Sequence, residues 1–346
     1  MTIVFTPDHF DYHLPEELIA QTPSVERDQS RLMILDRLKG QYKHSKFDQL
    51  LTFLKPGDVL VMNQSRVIPA RLYATNLDLG RPVEMLLLRK IKNGVWKALV
   101  KPGRRMKVGT RFEVSNKNKV ISGEVLSIES DGERIISLEG EQHLESIGMI
   151  PLPPYINETN SDPERYQTVY SKDKGSIAAP TAGLHFTSEM IQRLQDNNVE
   201  TLFVTLHVGW DTFRPITGRL DEHKMHSEFW AVDKNSAERI RLAKDQGRRV
   251  IAVGTTVVRV LENAAQISGD GQLSSGSGWV DLFIKPGYKF QVVDALITNF
   301  HLPKSTLMML VSAFSSREII LNAYSEAVRA KYRFFSFYGC WKCLGC

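Results

Sequence analysis

A chain of 346 residues exceeds the length at which one hydrophobic core usually suffices, and a hydrophobic content of 42% is ample for packed cores in two domains. No apolar run approaches the roughly 18 residues of a membrane span, and Asp8 and Asp11 stand where a secretory signal would be basic and then apolar, so a soluble, cytoplasmic protein with no membrane partner is expected. The formal net charge of +5 suits a polyanionic partner without requiring one.

Taken in chain order, residues 1–66 read as the first part of a large α/β domain and residues 67–152 as a small domain inserted into it. The inserted stretch consists of short β-rich runs broken by turn dipeptides. Val83 to Leu88 and Val95 to Val100 flank Asn93-Gly94, and Val120 to Ile128 and Glu133 to Leu138 flank Asp131-Gly132. Both dipeptides favour the tight turns of hairpins, which predicts a small antiparallel sheet or barrel. Lys101, Arg104, Arg105 and Lys107 surround the turn signal Pro102-Gly103 and would project cations from one loop. Pro151, Pro153 and Pro154 form a stiff exit.

Residues 153–346 then alternate helices and strands, which predicts a layered α/β domain with a mixed sheet. Thr187 is a candidate N-cap for a helix with an apolar stripe of Met190, Ile191 and Leu194. Asn235 and Glu238 open another helix that Gly247 can end. Arg249 to Val253 reads as a buried strand, after which Gly254-Thr255-Thr256 turns into a helix from Val257 to Ala265. Ser268 to Gly278 reads as a flexible loop, either a connector or a lid over a site. Ser315 and Glu318 suggest a capping box for the final helix.

The densest chemistry lies between residues 181 and 230, which hold four of the nine histidines. Ala179-Pro180-Thr181-Ala182-Gly183-Leu184-His185-Phe186-Thr187 and Thr205-Leu206-His207-Val208-Gly209-Trp210-Asp211-Thr212-Phe213-Arg214-Pro215 each put reactive side chains at a strand end. Phe203 to Val208 alternates as a half-buried strand does, so Val204, Leu206 and Val208 share one face while Thr205 and His207 share the other. Asp221 to Trp230 adds His223 and His226. Burying so many polar groups without partners would cost roughly 1–3 kcal/mol apiece, which favours a functional cluster over a satisfied core.

These segments, together with Asp11 to Gln21, Arg31-Leu32-Met33, Met62-Asn63-Gln64-Ser65-Arg66-Val67-Ile68-Pro69-Ala70-Arg71, Val253 to Arg259 and Ile297 to Leu307, resemble the S-adenosylmethionine:tRNA ribosyltransferase-isomerase family of queuosine biosynthesis. The matches run in family order from about residue 8 to about residue 335. The resemblance implies a β-barrel-plus-α/β architecture. It implies a reaction in which the ribosyl part of S-adenosylmethionine, a co-substrate, passes to 7-aminomethyl-7-deazaguanine at the tRNA wobble position. The product is epoxyqueuosine, with adenine and methionine released, and no metal is needed.

For that chemistry His207, Asp211, His185 and His226 are the candidates to take the acidic C5′ proton beside the sulfonium and to help adenine depart. Gly254, Thr255 and Thr256 would present amides and hydroxyls to the methionine carboxylate at a helix N-terminus. Thr181, Gly183, Phe300 and His301 would complete the nucleoside pocket, while Arg259 fits a phosphate, a carboxylate or the helix surface. For the tRNA, Trp210 and Phe213 offer stacking beside Arg214, and Arg66, Arg71, Arg104 and Arg105 offer phosphate contacts. A monomer is expected.

Cysteine is absent until Cys340, Cys343 and Cys346, spaced C-x-x-C-x-x-C near the end. Three thiols without a fourth ligand in the motif argue weakly for zinc or an iron–sulfur cluster, and no metal site is expected. After Arg333-Phe334-Phe335-Ser336 the family pattern continues with a short segment containing an acidic residue, which Gly339-Cys340-Trp341-Lys342-Cys343 replaces here. Two other functions fit parts of the chain. His223-x-x-His226 with His185, His207 and Asp211 suggests a metal-dependent hydrolase, although no H-E-x-x-H supports it. A catalytically inactive tRNA-binding protein would fit the altered tail.

Overall fold

The computed structural model describes residues 5–156, 162–210, 216, 220, 223, 225–269, 271–335 and 340–344, the last five by backbone alone. The chain separates into two compact units. One comprises the described parts of Met1–Arg66, Pro154–Asp173 and Ala179–Cys346; the other comprises Val67–Pro153 and Lys174–Ala178.

Along the chain the strands are β1 (Arg31–Asp36), β2 (Tyr42–Lys46), β3 (Val59–Asn63), β4 (Ser65–Val67), β5 (Arg71–Asn76), β6 (Arg81–Lys92), β7 (Val95–Lys101), β8 (Arg111–Asn116), β9 (Lys119–Ile128) and β10 (Arg134–Ser137). A one-turn helix, α1 (Leu144–Ile147), follows, then β11 (Asp173–Ser176), α2 (Ser188–Asp196), β12 (Glu200–Leu206), β13 (Glu228–Val232), α3 (Lys234–Asp245), β14 (Val250–Val253) and α4 (Thr255–Ser268). The last elements are β15 (Gly276–Val280), β16 (Ala295–Asn299), α5 (Thr306–Phe314), α6 (Arg317–Arg329) and β17 (Cys340–Leu344).

The large unit is built on a nine-stranded sheet of order β15-β13-β12-β3-β14-β16-β17-β1-β2. Its centre, β12-β3-β14-β16, is parallel, with Val204 opposite Asn63, Met62 opposite Val253, and Val253 opposite Ile297. Parallel strands covered on both faces are near-continuously apolar, and every residue of β3, β14 and β16 is buried, with polar Asn63, Thr298 and Asn299 confined to the strand ends. Leu60, Met62, Ile251, Val253 and Ile297 share one face with Phe186, Met190 and Leu194 of the α2 region. The edges are antiparallel, β13 and β15 on one side and β2 on the other. The mixed sheet expected from the sequence is therefore present.

The small unit is a closed six-stranded barrel, β10-β7-β6-β5-β8-β9, antiparallel throughout. Leu72, Met85, Trp96, Phe112, Ile121 and Ile136 fill it. Both expected hairpins form around left-handed glycines, Gly94 at φ 66° and Gly132 at φ 85°. Gly123 is required for closure, because a Cβ there would stand 2.0 Å from the Ser137 carbonyl oxygen and 2.6 Å from the Phe112 ring.

Several boundaries differ from those expected. Thr187 does cap α2 by accepting from the Met190 amide. The cap of α3 is Asp233, two residues ahead of the pattern read at Asn235, and it accepts from the Ser236 amide. Ser316 caps α6, and Ser315 instead donates to the Arg37 carbonyl. Helix α4 begins at Thr255, because Gly254 takes φ 95° and turns the strand directly into the helix. The Gly/Ser-rich stretch after Ser268 is not all loop: its end becomes edge strand β15, whose ladder to β13 fixes a sequence with little side-chain signal.

Candidate active site at the carboxyl ends of the parallel strands

The four parallel strands end at one edge, where Asn63, His207, Gly254 and Asn299 follow or close β3, β12, β14 and β16. In open α/β sheets this edge is where ligands bind. Asn63 is buried and stitches two of the ends together: its Oδ1 accepts from the Leu206 amide at 3.1 Å and its Nδ2 donates to the Leu206 carbonyl at 3.0 Å. The same Nδ2 lies 3.4 Å from the Thr256 hydroxyl on α4.

His207 leaves β12 on the polar side of the alternation. Its Nδ1 lies 2.7 Å from Ser65 Oγ, and its ring stacks on Phe229 at 5.4 Å between centroids. Burial holds the imidazole below its ordinary pKa, an effect that the Asp173 charge partly opposes. Asp173 is itself placed by Thr205 Oγ1 at 2.5 Å and Gln64 Nε2 at 3.0 Å, both on its Oδ2. Phe229 meets the exposed Trp279 edge to face at 5.8 Å, so an aromatic row leads from the surface to His207.

A second polar chain borders this site. Thr181 Oγ1 donates to Asn299 Oδ1 at 2.9 Å, Asn299 Nδ2 lies 2.9 Å from His185 Nε2, and His185 Nδ1 lies 2.9 Å from Ser30 Oγ. Both nitrogens of His185 are thus occupied, its ring leans on Phe47, against which Phe186 packs edge to face, and burial pushes the His185 pKa down to about 4. Such a ring is neutral and fixed, better suited to orient Asn299 and Thr181 than to carry protons.

Gly183 and Gly254 are both constrained. A Cβ on Gly183 would stand 2.1 Å from Tyr170 Oη and 2.8 Å from Thr168 Cγ2. Gly254 opens α4, leaving the Thr255 and Thr256 amides at a helix start where amides lack intrahelical acceptors. A Cβ on Gly254 would lie 3.7 Å from that of Ala182, which brings the Thr181 turn beside the start of α4.

Other predicted residues fall elsewhere. Phe300 is wholly buried among Tyr324, Tyr332 and Phe334. His301 hydrogen-bonds Thr298 through Nε2 at 3.1 Å, and burial lowers its pKa to about 3. Arg66 donates to Glu164 and Ser171, and Arg71 sits 3.5 Å from Glu84. Arg105 donates to the Pro82 carbonyl, while Arg104 is exposed. His226 is exposed ahead of β13, and Trp210 is half-buried beyond Gly209. Asp211, Phe213, Arg214 and Cys346 lie outside the described residues. Cys340 and Cys343 lie in the backbone ladder of β17. Among the described residues no group of three His, Cys, Asp or Glu side chains could hold a metal ion, and no helix is long and apolar enough to cross a membrane.

Arg259, left open between ligand and structure, is buried and ion-paired with Glu228, and Glu228 also accepts from the Gly209 amide at 2.7 Å. Three members of the site carried no assigned role in the sequence: Asn63, Ser65 and Asp173. The signal for the first two was an abrupt change from the apolar run Val59 to Met62 into Asn-Gln-Ser-Arg at a strand end. Asp173 gave none, because only the fold brings it to Thr205.

A family model described as queuosine biosynthesis protein matches residues 7–340. The chain belongs to that family. An S-adenosylmethionine:tRNA ribosyltransferase-isomerase of Carboxydothermus hydrogenoformans is 55% identical over 333 residues, covering 95% of this chain and 96% of the relative. One of the same description from Clostridioides difficile is 51% identical with the same coverage. The crystal structure of an S-adenosylmethionine tRNA ribosyltransferase from Thermotoga maritima is similar at 38% identity and a TM-score of 0.56, covering 97% of this chain and 100% of that one. The family match stops at Cys340, within the cysteine-bearing tail.

Proposed function

We propose that the chain is a tRNA-modifying transferase-isomerase that uses S-adenosylmethionine as co-substrate. It passes the ribosyl moiety to 7-aminomethyl-7-deazaguanine at the wobble position and releases adenine and methionine. The observation that carries this reading is the convergence of His207, Asn63 and the α4 amides at the carboxyl ends of β12, β3 and β14. The amides of Thr255 and Thr256 suit the methionine carboxylate. The Thr181–Asn299 pair suits ribose hydroxyls or purine edges, and His207 stands as the group that acts on the reacting atoms. Asp211 and His226 are further candidates for acid and base. Trp279 and Trp210 offer surfaces for a base splayed from the anticodon loop, with Arg214 for a phosphate, and on the small unit Arg104 and Arg105 are separate candidates for tRNA phosphates. The protein acts as a cytoplasmic monomer in this reading and needs no metal.

The test mixes purified protein with S-adenosylmethionine and tRNA carrying the 7-aminomethyl base, then measures free adenine and the mass of the modified nucleoside. Adenine release with the epoxide-bearing product is expected, and it persists after chelator treatment. Tight tRNA binding without adenine release would replace this reading with that of a binding protein.

A further inference from the structure

Ser65 is fully buried, with its Oγ 2.7 Å from Nδ1 of His207. Its amide donates to Asn63 Oδ1 at 3.0 Å, the oxygen that also takes the Leu206 amide. One fixed side chain therefore sets the hydroxyl relative to the residue just before His207. On the opposite side the His207 amide donates to the Phe229 carbonyl at 2.9 Å, and the two rings stack at 24°. These restraints engage Nδ1 and leave Nε2 without a partner among the described residues.

A serine hydroxyl has one hydrogen to place, and a buried donor left unpaired is costly. Nδ1 of His207 is the one acceptor that Ser65 Oγ meets among the described residues. The hydroxyl therefore donates to Nδ1, and the ring's own hydrogen sits on Nε2. We propose that Ser65 is a positioning residue that fixes His207 as its Nε2–H tautomer, aimed to donate a hydrogen bond to the departing adenine.

The adenine half of this inference rests on the reaction proposed above. In that reaction the electron pair of the ribose–purine bond leaves with the purine, and the proton lost from C5′ balances the one the purine gains. A neutral imidazole N–H stabilises the negative charge that develops on the ring without changing its own protonation. The neutral form is favoured by burial and by a donor on Nδ1. Among the described residues the charged groups nearby are Asp173 on β11, which opposes that preference, and Glu228 on β13, which is engaged by Arg259 of α4 and by the Gly209 amide.

Nitrogen-15 NMR of the full-length, histidine-labelled protein reads the tautomer without turnover. The expected result is a proton on Nε2 in the wild type at neutral pH, mixed tautomers in Ser65→Ala, and recovery in Ser65→Thr. In steady-state kinetics Ser65→Ala should lower kcat roughly ten- to a hundredfold with KM for S-adenosylmethionine within about twofold, the pattern of a lost transition-state interaction. Losing the Nδ1 donor should also move the acid limb of the kcat profile to higher pH, and Ser65→Thr should restore both readouts. A wild-type proton on Nδ1 overturns the proposal, as does an unchanged kcat in Ser65→Ala. Should the wild type release no adenine while the Nε2 proton is observed, the functional reading falls, taking the adenine half of the proposal with it, and the tautomer assignment stands.

Discussion

Glu228 and Arg259 form an ion pair inside the large unit with 5% and 4% of their side chains exposed. Arg259 also donates to the carbonyls of Leu282 and Val280, both at 3.3 Å, and Glu228 receives the Gly209 amide, so the pair ties α4 and β13 to the turn after His207. Arg259→Ala leaves a carboxylate buried without its counter-charge. An unfolding free energy lower by about 3–5 kcal/mol is expected in urea titration. The double variant Arg259→Met with Glu228→Gln should lose less than the sum of the two single changes, because it removes both charges together.

Gly183 owes its identity to a neighbour within the protein. Because a Cβ would stand 2.1 Å from Tyr170 Oη, Gly183→Ala should destabilise by about 1–3 kcal/mol. Adding Tyr170→Phe removes the obstructing oxygen and should recover part of the loss. Thermal unfolding of the single and double variants decides this. Equal melting temperatures for the two would mean that the turn, not the tyrosine, sets the requirement.

Stability should fall with acid through two buried histidines. Burial lowers His185 from 6.5 to about 4 and His301 to about 3, so the folded state holds both rings neutral where the unfolded chain has begun to protonate them. Their contribution is complete above pH 6.5 and is lost as pH falls towards 4 and then 3. Each histidine should give a slope of about 1.4 kcal/mol per pH unit in that window. Denaturant titrations from pH 7 to pH 4 measure it, and His185→Gln should remove one histidine's share of the slope.

Exposed and engaged arginines should separate in tRNA binding. Arg104→Gln should weaken binding and reduce the slope of log affinity against log salt by about 1. Arg66→Gln should change that slope little, since its guanidinium is already held by Glu164 and Ser171. Filter binding across a salt series distinguishes the two, and an equal effect from Arg66 would mean that it exchanges Glu164 for phosphate.

The barrel and the parallel sheet were legible because their signals are local. Asn93-Gly94 and Asp131-Gly132 announce hairpins, and unbroken apolar runs such as Val250 to Val253 announce strands buried on both faces. His207 was legible from its place on the polar side of an alternating strand. His185 was visible as a reactive group but not as a sealed one, because Ser30 and Asn299 reach it from 155 and 114 residues away. Phe300 and His301 carried the same ambiguity, since a motif does not tell which way its side chains face. Asp233 was missed as a cap because Asn235 and Glu238 offered an equally good local pattern two residues later.

The place of β17 also bears on how the protein is made. This strand lies between β16 and β1, parallel to β1 and antiparallel to β16, and among the described residues it alone joins the β1–β2 hairpin to the rest of the sheet. The hairpin leaves the ribosome first, and its bridging strand follows roughly 300 residues later, at about 5–20 residues per second some tens of seconds afterwards. During that interval β1 presents an unpaired backbone edge, joined by that of β16 only shortly before β17 is made, the kind of surface that attracts chaperones or other nascent chains.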